Sequence, residues 1–253
     1  MSSSAIISPR IIYPESDGKA VGESDIHRRE ILMIIDMLER FFRSIHMIYV
    51  SGNLMFYYKE GEPQSVVSPD VFVVKGIPKG LRRSYKLWEE QHIPCTVFEI
   101  TSRSTRQEDR GKKQALYAQL GVHEYFMFDP LSEYLRPQFQ GFTLAEKSYI
   151  AMLPDAHGAL VSQELGLRMW PEHGMLRIQD IRSGERLLRS SEVEDRAIDA
   201  ETRAFAIEQA RDAAEERALE FEQARDAAEE RANTLEAELT RLREELEHMR
   251  SQG

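Results

Sequence analysis

The stretch FEITSRSTRQEDRGKKQALYAQLGVHEYFMFDP, Phe98 to Pro130, decides the fold. It opens with an apolar strand, TVFEI when extended back to Thr96, interrupted only by Glu99. A polar turn follows, and Ser104 or Thr105 is placed to begin a helix. Gly121 ends that helix as a C-cap, and HEYFMFD forms a second strand that stops at Pro130. Within the helix, Asp109, Lys113, Leu116, Tyr117 and Leu120 recur at three- and four-residue spacing and share one stripe. Lys112 lies about 100° away. The stripe faces the sheet, so Lys113 is the lysine aimed inward.

Working outward, the upstream half supplies the rest of an α/β core. SDIHRREILMIIDMLERFFR (Ser24–Arg43) has helical apolar spacing at Ile31, Ile34, Ile35, Leu38, Phe41 and Phe42, with Ser24 or Asp25 as cap. HMIYVSGNLMFYY gives two short strands about an SGN turn, and SPDVFVV another strand, entered through Pro69 and Asp70. Lys75 to Gln91 reads as a basic loop with a short helix near SYKLWEEQ. Nearly continuous apolar strands imply a sheet covered on both faces. From Tyr134 to Leu188, aromatic segments punctuated by Gly and Pro predict additional β-structure.

At about Ser191 the composition changes. EQARDAAEERA occurs at Glu208–Ala218 and again at Glu222–Ala232, a shift of two heptads. Ile207, Ala214, Phe221, Ala228, Leu235, Leu242 and Met249 fall every seventh residue. A second seam holds Ala218, Ala232, Leu239 and Leu246 and is broken by Arg211 and Arg225. The expectation is two domains: residues 1–190, and an acidic helical tail, 191–253, with coiled-coil character. A stripe of leucines left wet on a single helix predicts a homodimer through the tail. A solitary charge-laced helix is the alternative.

The charge distribution follows this division. The chain carries −10 overall, and residues 191–253 hold 19 Asp and Glu against nine Arg and no Lys. The first 190 residues are therefore neutral, and the low global pI does not exclude a nucleic-acid partner. Between Lys79 and Lys113 nine bases face five acids, which either neutralises phosphates or forms an ordinary solvated surface. Cys95 is the single cysteine, so no internal disulfide or cysteine-rich zinc site exists, and a small core residue is expected. No run of 18 apolar residues is present and MSSSAIISPR lacks an apolar signal stretch. The expected location is the cytoplasm, with no membrane span.

Two carboxylates, Asp70 and Glu99, and the Lys113 ammonium thus converge on one sheet. Oxygen ligands of this kind bind a hard divalent ion such as Mg²⁺, which polarises a phosphoryl group and lowers the pKa of a bound water. The same residues also suit a plainer reading: Asp70 as a turn acid, and Asp109 with Lys113 as an ordinary i,i+4 pair.

Taken together, Pro69-Asp70-Val71, Glu99-Ile100-Thr101-Ser102, Asp109 through Lys113 with Tyr117, and Gly121-Val122 through Tyr125 to Asp129-Pro130 resemble the bacterial "putative restriction endonuclease" family of the PD-(D/E)xK nuclease superfamily. The resemblance spans roughly Gly22 to Leu165. It implies a restriction-endonuclease-like αβββαβ core, a mixed sheet flanked by helices. It also implies hydrolysis of DNA phosphodiester bonds with Mg²⁺, or Mn²⁺ in its place. Carried over, Asp70 and Glu99 are metal ligands, Ile100 contributes its backbone carbonyl, and Asp70, Glu99 and Lys113 are catalytic. The sequence departs from the superfamily pattern at Thr101, where a lysine is usual, and Lys113 on the following helix takes the basic role. Glu23 and His27, at the start of the first helix, flank the site. For His27 a partly exposed helix position is the alternative. Tyr117 and Tyr125 are expected to pack the helix onto the sheet. A non-catalytic nucleic-acid-binding or protein-interaction module on the same fold is the competing functional class.

Overall fold

The structure, a computed structural model, describes residues 11–14, 24–102 and 106–251, without the side chains of residues 106, 245 and 247–251. Glu23 and the helix start expected at Ser104 or Thr105 lie outside the described residues. The chain divides into two units, Met1–Ser190 and Ser191–Gly253.

The first unit begins with α1 (Asp25–Phe41), capped where the Ser24 side chain accepts the His27 N–H at 3.2 Å. Its apolar stripe buries Ile31, Ile34, Met37 and Leu38. The strands are β1 (Ile48–Ser51), β2 (Phe56–Tyr57), β3 (Val66–Val67), β4 (Val71–Lys75), β5 (Tyr85–Lys86), β6 (Thr96–Ile100), β7 (Glu124–Phe128), β8 (Phe139–Ala145), β9 (Ser148–Ala151), β10 (Leu160–Ser162), β11 (Leu167–Glu172) and β12 (Met175–Asp180). Between them lie α2 (Leu87–Glu90) and α3 (residues 106–120). Six strands form the main sheet in the order β1-β4-β6-β7-β8-β9. Among the described residues of this sheet only the β6–β7 pair is parallel, with Glu99 opposite Met127. A parallel pair needs a crossover, and α3 provides it.

Alternation along the strands sorts the core into two layers. Val71, Val73, Phe98, Ile100, Phe126 and Phe128 pack against α1 and the three-stranded sheet β10-β11-β12. Phe72, Val74, Val97, Tyr125 and Met127 pack on the other side with Tyr117 of α3 and with Phe56 and Tyr85 of the small sheet β3-β2-β5. Both faces are covered, as the apolar strands required. The order α1, β1, β4, β6, α3, β7 gives the αβββαβ core of an α/β mixed-sheet fold, and β8 to β12 are the additional β-structure.

The SGN turn does something the sequence did not show. Strands β1 and β2 flank it but join different sheets: β1 pairs with β4 and β2 with β3 and β5. Asn53 takes a positive φ of 48° and donates its N–H to the Pro69 carbonyl at 2.9 Å. Gly52 lies so close to the Asp70 backbone that a Cβ there would meet the Asp70 carbonyl oxygen at 2.0 Å. The glycine is required by this close approach.

The end of the first unit is fastened to α1. Arg189 and Glu30, both buried, pair at 2.5 Å, and Glu30 also accepts the Leu176 N–H at 3.3 Å. Ser190 Oγ donates to Asp36 at 2.6 Å, and Arg40 donates to the Leu188 carbonyl at 2.6 Å. The second unit is made of the helix α4 (Ser190–Ser251) from Ser191 onward, and its described side chains from 193 onward are exposed, Leu235, Leu239, Leu242 and Leu246 among them. No helix among the described residues is long and apolar enough to cross a membrane.

Candidate active site

The acids and the lysine meet on the α3 side of the main sheet. Glu99 shares the β6 face of Val97 and is completely buried. Its Oε2 accepts a hydrogen bond from Lys113 Nζ at 2.7 Å, and its Oε1 accepts one from the Tyr117 hydroxyl at 2.7 Å. Lys113 Nζ also stands 3.3 Å from Asp109 Oδ1, and Asp109 is itself buried. Asp70, just before β4, accepts the Ile100 N–H on Oδ2 at 2.7 Å. The same oxygen lies 3.3 Å from His27 Nε2. Asp70 is thereby tied to the residue next to Glu99, although 30 positions separate Asp70 from Ile100.

The inward stripe on α3 is real, but its geometry is not that of a plain α-helix. Asp109–Lys113 forms a π-helical turn between the α-helical segments Arg106–Glu108 and Gln114–Leu120. In an α-helix residues four apart drift by about 40°, so two such steps from Asp109 to Tyr117 would drift by about 80°. A π turn winds through less angle per residue, so the step from 109 to 113 falls short of a full turn where the step from 113 to 117 overshoots it. The two drifts offset each other, and Asp109, Lys113 and Tyr117 stay in line. Tyr125 on β7 holds the turn, its hydroxyl donating to the Asp109 carbonyl at 2.9 Å. Lys112 is exposed.

Burial pushes the Glu99 carboxyl well up, against the pull of Lys113, and the neighbouring Asp70 and Asp109 charges push it further. Lys113 is also largely buried, which by itself favours the neutral amine. The Glu99, Asp70 and Asp109 charges outweigh this and hold its ammonium protonated. Asp70, Glu99 and Asp109 gather around the Lys113 ammonium, and carboxylate oxygens are the hard donors that a divalent cation takes. Among the described residues no three His, Cys, Asp and Glu side chains form a metal-binding group. The set that the family resemblance implies, Asp70, Glu99 and the Ile100 carbonyl, needs only two side chains. Each carboxylate oxygen has two lone pairs, so Glu99 retains acceptor capacity beside Lys113 and Tyr117.

Some expectations are corrected here. His27 is buried rather than partly exposed, and it reaches Asp70. The signal was available, since His27 precedes Ile31 by four residues and Ile34 by seven on the same stripe. Tyr117 and Tyr125 do pack α3 onto the sheet, but their hydroxyls also fix Glu99 and the π turn. Several bases of the Lys79–Lys113 segment are already engaged within the protein. Lys79 donates to the Phe42 carbonyl at 2.6 Å and Lys86 pairs with Glu89 at 2.9 Å. Arg82 forks onto Glu90 at 2.6 and 3.0 Å and covers the Tyr49 ring. Arg110 and Lys112 remain exposed on α3. Thr101, in the position where the superfamily keeps lysine, is buried, and its hydroxyl has no partner among the described residues.

The sequence model of a family described as "Uma2: Putative restriction endonuclease" matches residues 8–175, more than half of the chain. No curated protein matches. A matching solved structure, described as a putative nuclease belonging to DUF820 from Anabaena variabilis, is 13% identical. The match covers 60% of this chain and 81% of that one, with a TM-score of 0.40.

Proposed function

The chain belongs to the Uma2 family, described as putative restriction endonucleases, and from that premise we propose that it is a metal-dependent endonuclease hydrolysing DNA phosphodiester bonds. The observation that carries this reading is Lys113 Nζ held between Glu99 and Asp109 on the sheet face that Asp70 borders. Asp70, Glu99 and the Ile100 carbonyl are the groups that would hold Mg²⁺, with Mn²⁺ as a substitute. When bound, the ion supplies a Lewis acid for a phosphoryl oxygen and a bound water of lowered pKa.

The chain's own groups have distinct tasks in this scheme. Tyr117 and Lys113 fix the Glu99 carboxylate from two sides, so it presents one orientation. His27 and the Ile100 N–H do the same for Asp70. Lys113, held protonated by its acidic neighbours, is a donor and a charge, suited to the negative charge that grows on the phosphoryl oxygens. It is not suited to taking a proton from water. Arg110 and Lys112, exposed beside it, are placed to meet backbone phosphates. The tail helix brings two chains together.

A competing reading is a non-catalytic nucleic-acid-binding module. It draws on Thr101 in the lysine position and on the full engagement of both Glu99 oxygens within the protein. One experiment separates the two: cleavage of supercoiled plasmid and of single-stranded DNA with and without Mg²⁺, by the parent chain and by Glu99→Gln. The nuclease reading expects Mg²⁺-dependent cleavage that Glu99→Gln loses while it still folds and binds DNA. Undiminished cleavage by the well-folded variant refutes the role of Glu99. DNA binding without any cleavage by the parent establishes the competing reading.

A further inference from the structure

The second unit carries information beyond its apolar stripe. The helix α4 runs unbroken for 62 residues, about 93 Å, from Ser190 to Ser251. Leu235, Leu239, Leu242 and Leu246 are each more than half exposed, as are Ile207 and Phe221. In heptad terms Ile207, Phe221, Leu235 and Leu242 occupy one core position, d. Leu239 and Leu246 occupy the other, a, together with Ala218, Ala232, Arg211 and Arg225.

The positions flanking this seam are not random in charge. In a parallel two-stranded coil, each g residue faces the e residue five places later on the other helix. The g-to-e pairs are Arg196–Glu201, Arg203–Glu208, Arg217–Glu222, Arg231–Glu236 and Glu238–Arg243. All five join opposite charges. The two other pairs in this span, Ala210–Glu215 and Ala224–Glu229, are uncharged on one side, so no pair joins like charges. Between Arg231 and Glu238 the sign at g reverses, and the sign at e reverses with it between Glu236 and Arg243. An antiparallel coil instead sets e against e. Every e position from Glu201 to Glu236 is glutamate, so that arrangement stacks glutamates against one another.

We infer that α4 is one strand of a parallel, in-register, two-stranded coiled coil formed with a second copy of this chain. The partner is identical because the complementary surface is this helix's own g and e positions. The a-position arginines fit a dimer better than a larger bundle. At the edge of a two-stranded seam a long side chain reaches water, whereas a wider bundle encloses it. They already turn outward along their own helix, Arg211 to Glu215 at 2.8 Å and Arg225 to Asp226 at 3.0 Å. Parallel pairing brings both Ser190 residues to one end of the coil, so the two first units are tethered at the same end. The inference rests on the tail's being self-associating and not on nuclease activity.

The test uses the full chain in two arms. In the first, Ala237, at an outward heptad position, becomes a single labelling site, Ala237→Cys in a Cys95→Ala background. Spin-label distances are read together with sedimentation. A parallel dimer gives one distance of about 30 Å, and a fully overlapped antiparallel dimer more than about 50 Å. In the second arm, Arg217→Glu with Arg231→Glu raises the dimer dissociation constant about tenfold or more. Adding Glu222→Arg and Glu236→Arg to the same chain restores it. A chain that stays monomeric across micromolar concentrations overturns both the inference and the self-association beneath it. A dimer with the long distance, or one indifferent to the charge reversals, overturns the inference and leaves self-association standing.

Discussion

Replacing Gly52 by alanine perturbs the site from outside it. A Cβ at position 52 would stand 2.0 Å from the Asp70 carbonyl oxygen, 3.0 Å from the Asp70 carbonyl carbon and 2.8 Å from Ile35 Cδ1. The Ile35 methyl can swing away, but the Asp70 backbone cannot do so without moving the residue. Ordinary contact begins near 3.4 Å, so Asp70 has to recede by about 1.4 Å. Asp70 Oδ2 now lies 2.7 Å from the Ile100 nitrogen. Half of that recession along the bond already lengthens it to about 3.4 Å, beyond the usual range. Overpacking costs about 1–3 kcal/mol, and a lost hydrogen bond to a charged group about 1.5–3 kcal/mol. A total near 3 kcal/mol lowers the melting temperature of a unit this size by about 6–12 °C. Misplacing a reacting group by about 1 Å reduces turnover on the order of a hundredfold. Three measurements check this: the thermal transition, hydrogen exchange at the Ile100 amide, and Mg²⁺-dependent plasmid cleavage. The expectation is a lower transition, faster Ile100 exchange, and cleavage down about a hundredfold in protein that is still folded. Parental stability together with parental Ile100 protection would refute the argument, because Asp70 would then not be held by the close approach of Gly52.

Other outcomes follow from the same geometry. Lys113→Ala abolishes turnover, whereas Lys112→Ala weakens DNA binding and its salt dependence; single-turnover rates and salt-titrated binding separate them, and the reverse pattern shows the helix phase to be wrong. Arg189→Met leaves Glu30 buried without its main charge partner and destabilises the first unit by about 3–5 kcal/mol in urea unfolding, while Glu30→Gln with Arg189→Met recovers much of the loss. Burial pushes the Cys95 thiol up to about 11, so in the native protein it resists iodoacetamide at pH 8 and reacts once the chain is unfolded. The folded value exceeds the unfolded one, so the thiol's contribution to stability is complete below about pH 9 and is lost as the pH rises towards 11. Alkylation of native protein at the rate of a small thiol would place Cys95 outside the core.

The strands and helices were legible because their residues respond to local rules. TVFEI and EYFMF are apolar runs too short for helices, and α1 shows its buried stripe every three or four residues. The choice of Lys113 over Lys112 needed only helical phase, and the inward position of Glu99 only its place in a fully apolar strand. The charge split between the two units and the heptads of the tail were equally plain, since both are properties of sequence alone. What the sequence did not determine depends on meetings between distant residues. The Asp70 bond to the Ile100 N–H, the reach of His27 to Asp70 and the Arg189–Glu30 pair across 159 positions have no local signature. The need for glycine at position 52 exists only because Pro69 and Asp70 pass beside it. The π turn that aligns Asp109, Lys113 and Tyr117 likewise came from packing, with Tyr125 of the neighbouring strand holding its first carbonyl. Local patterns determine which residues face a core. Only the tertiary fold decides which of those buried polar groups find each other, and burial without water makes each of them depend on that partner.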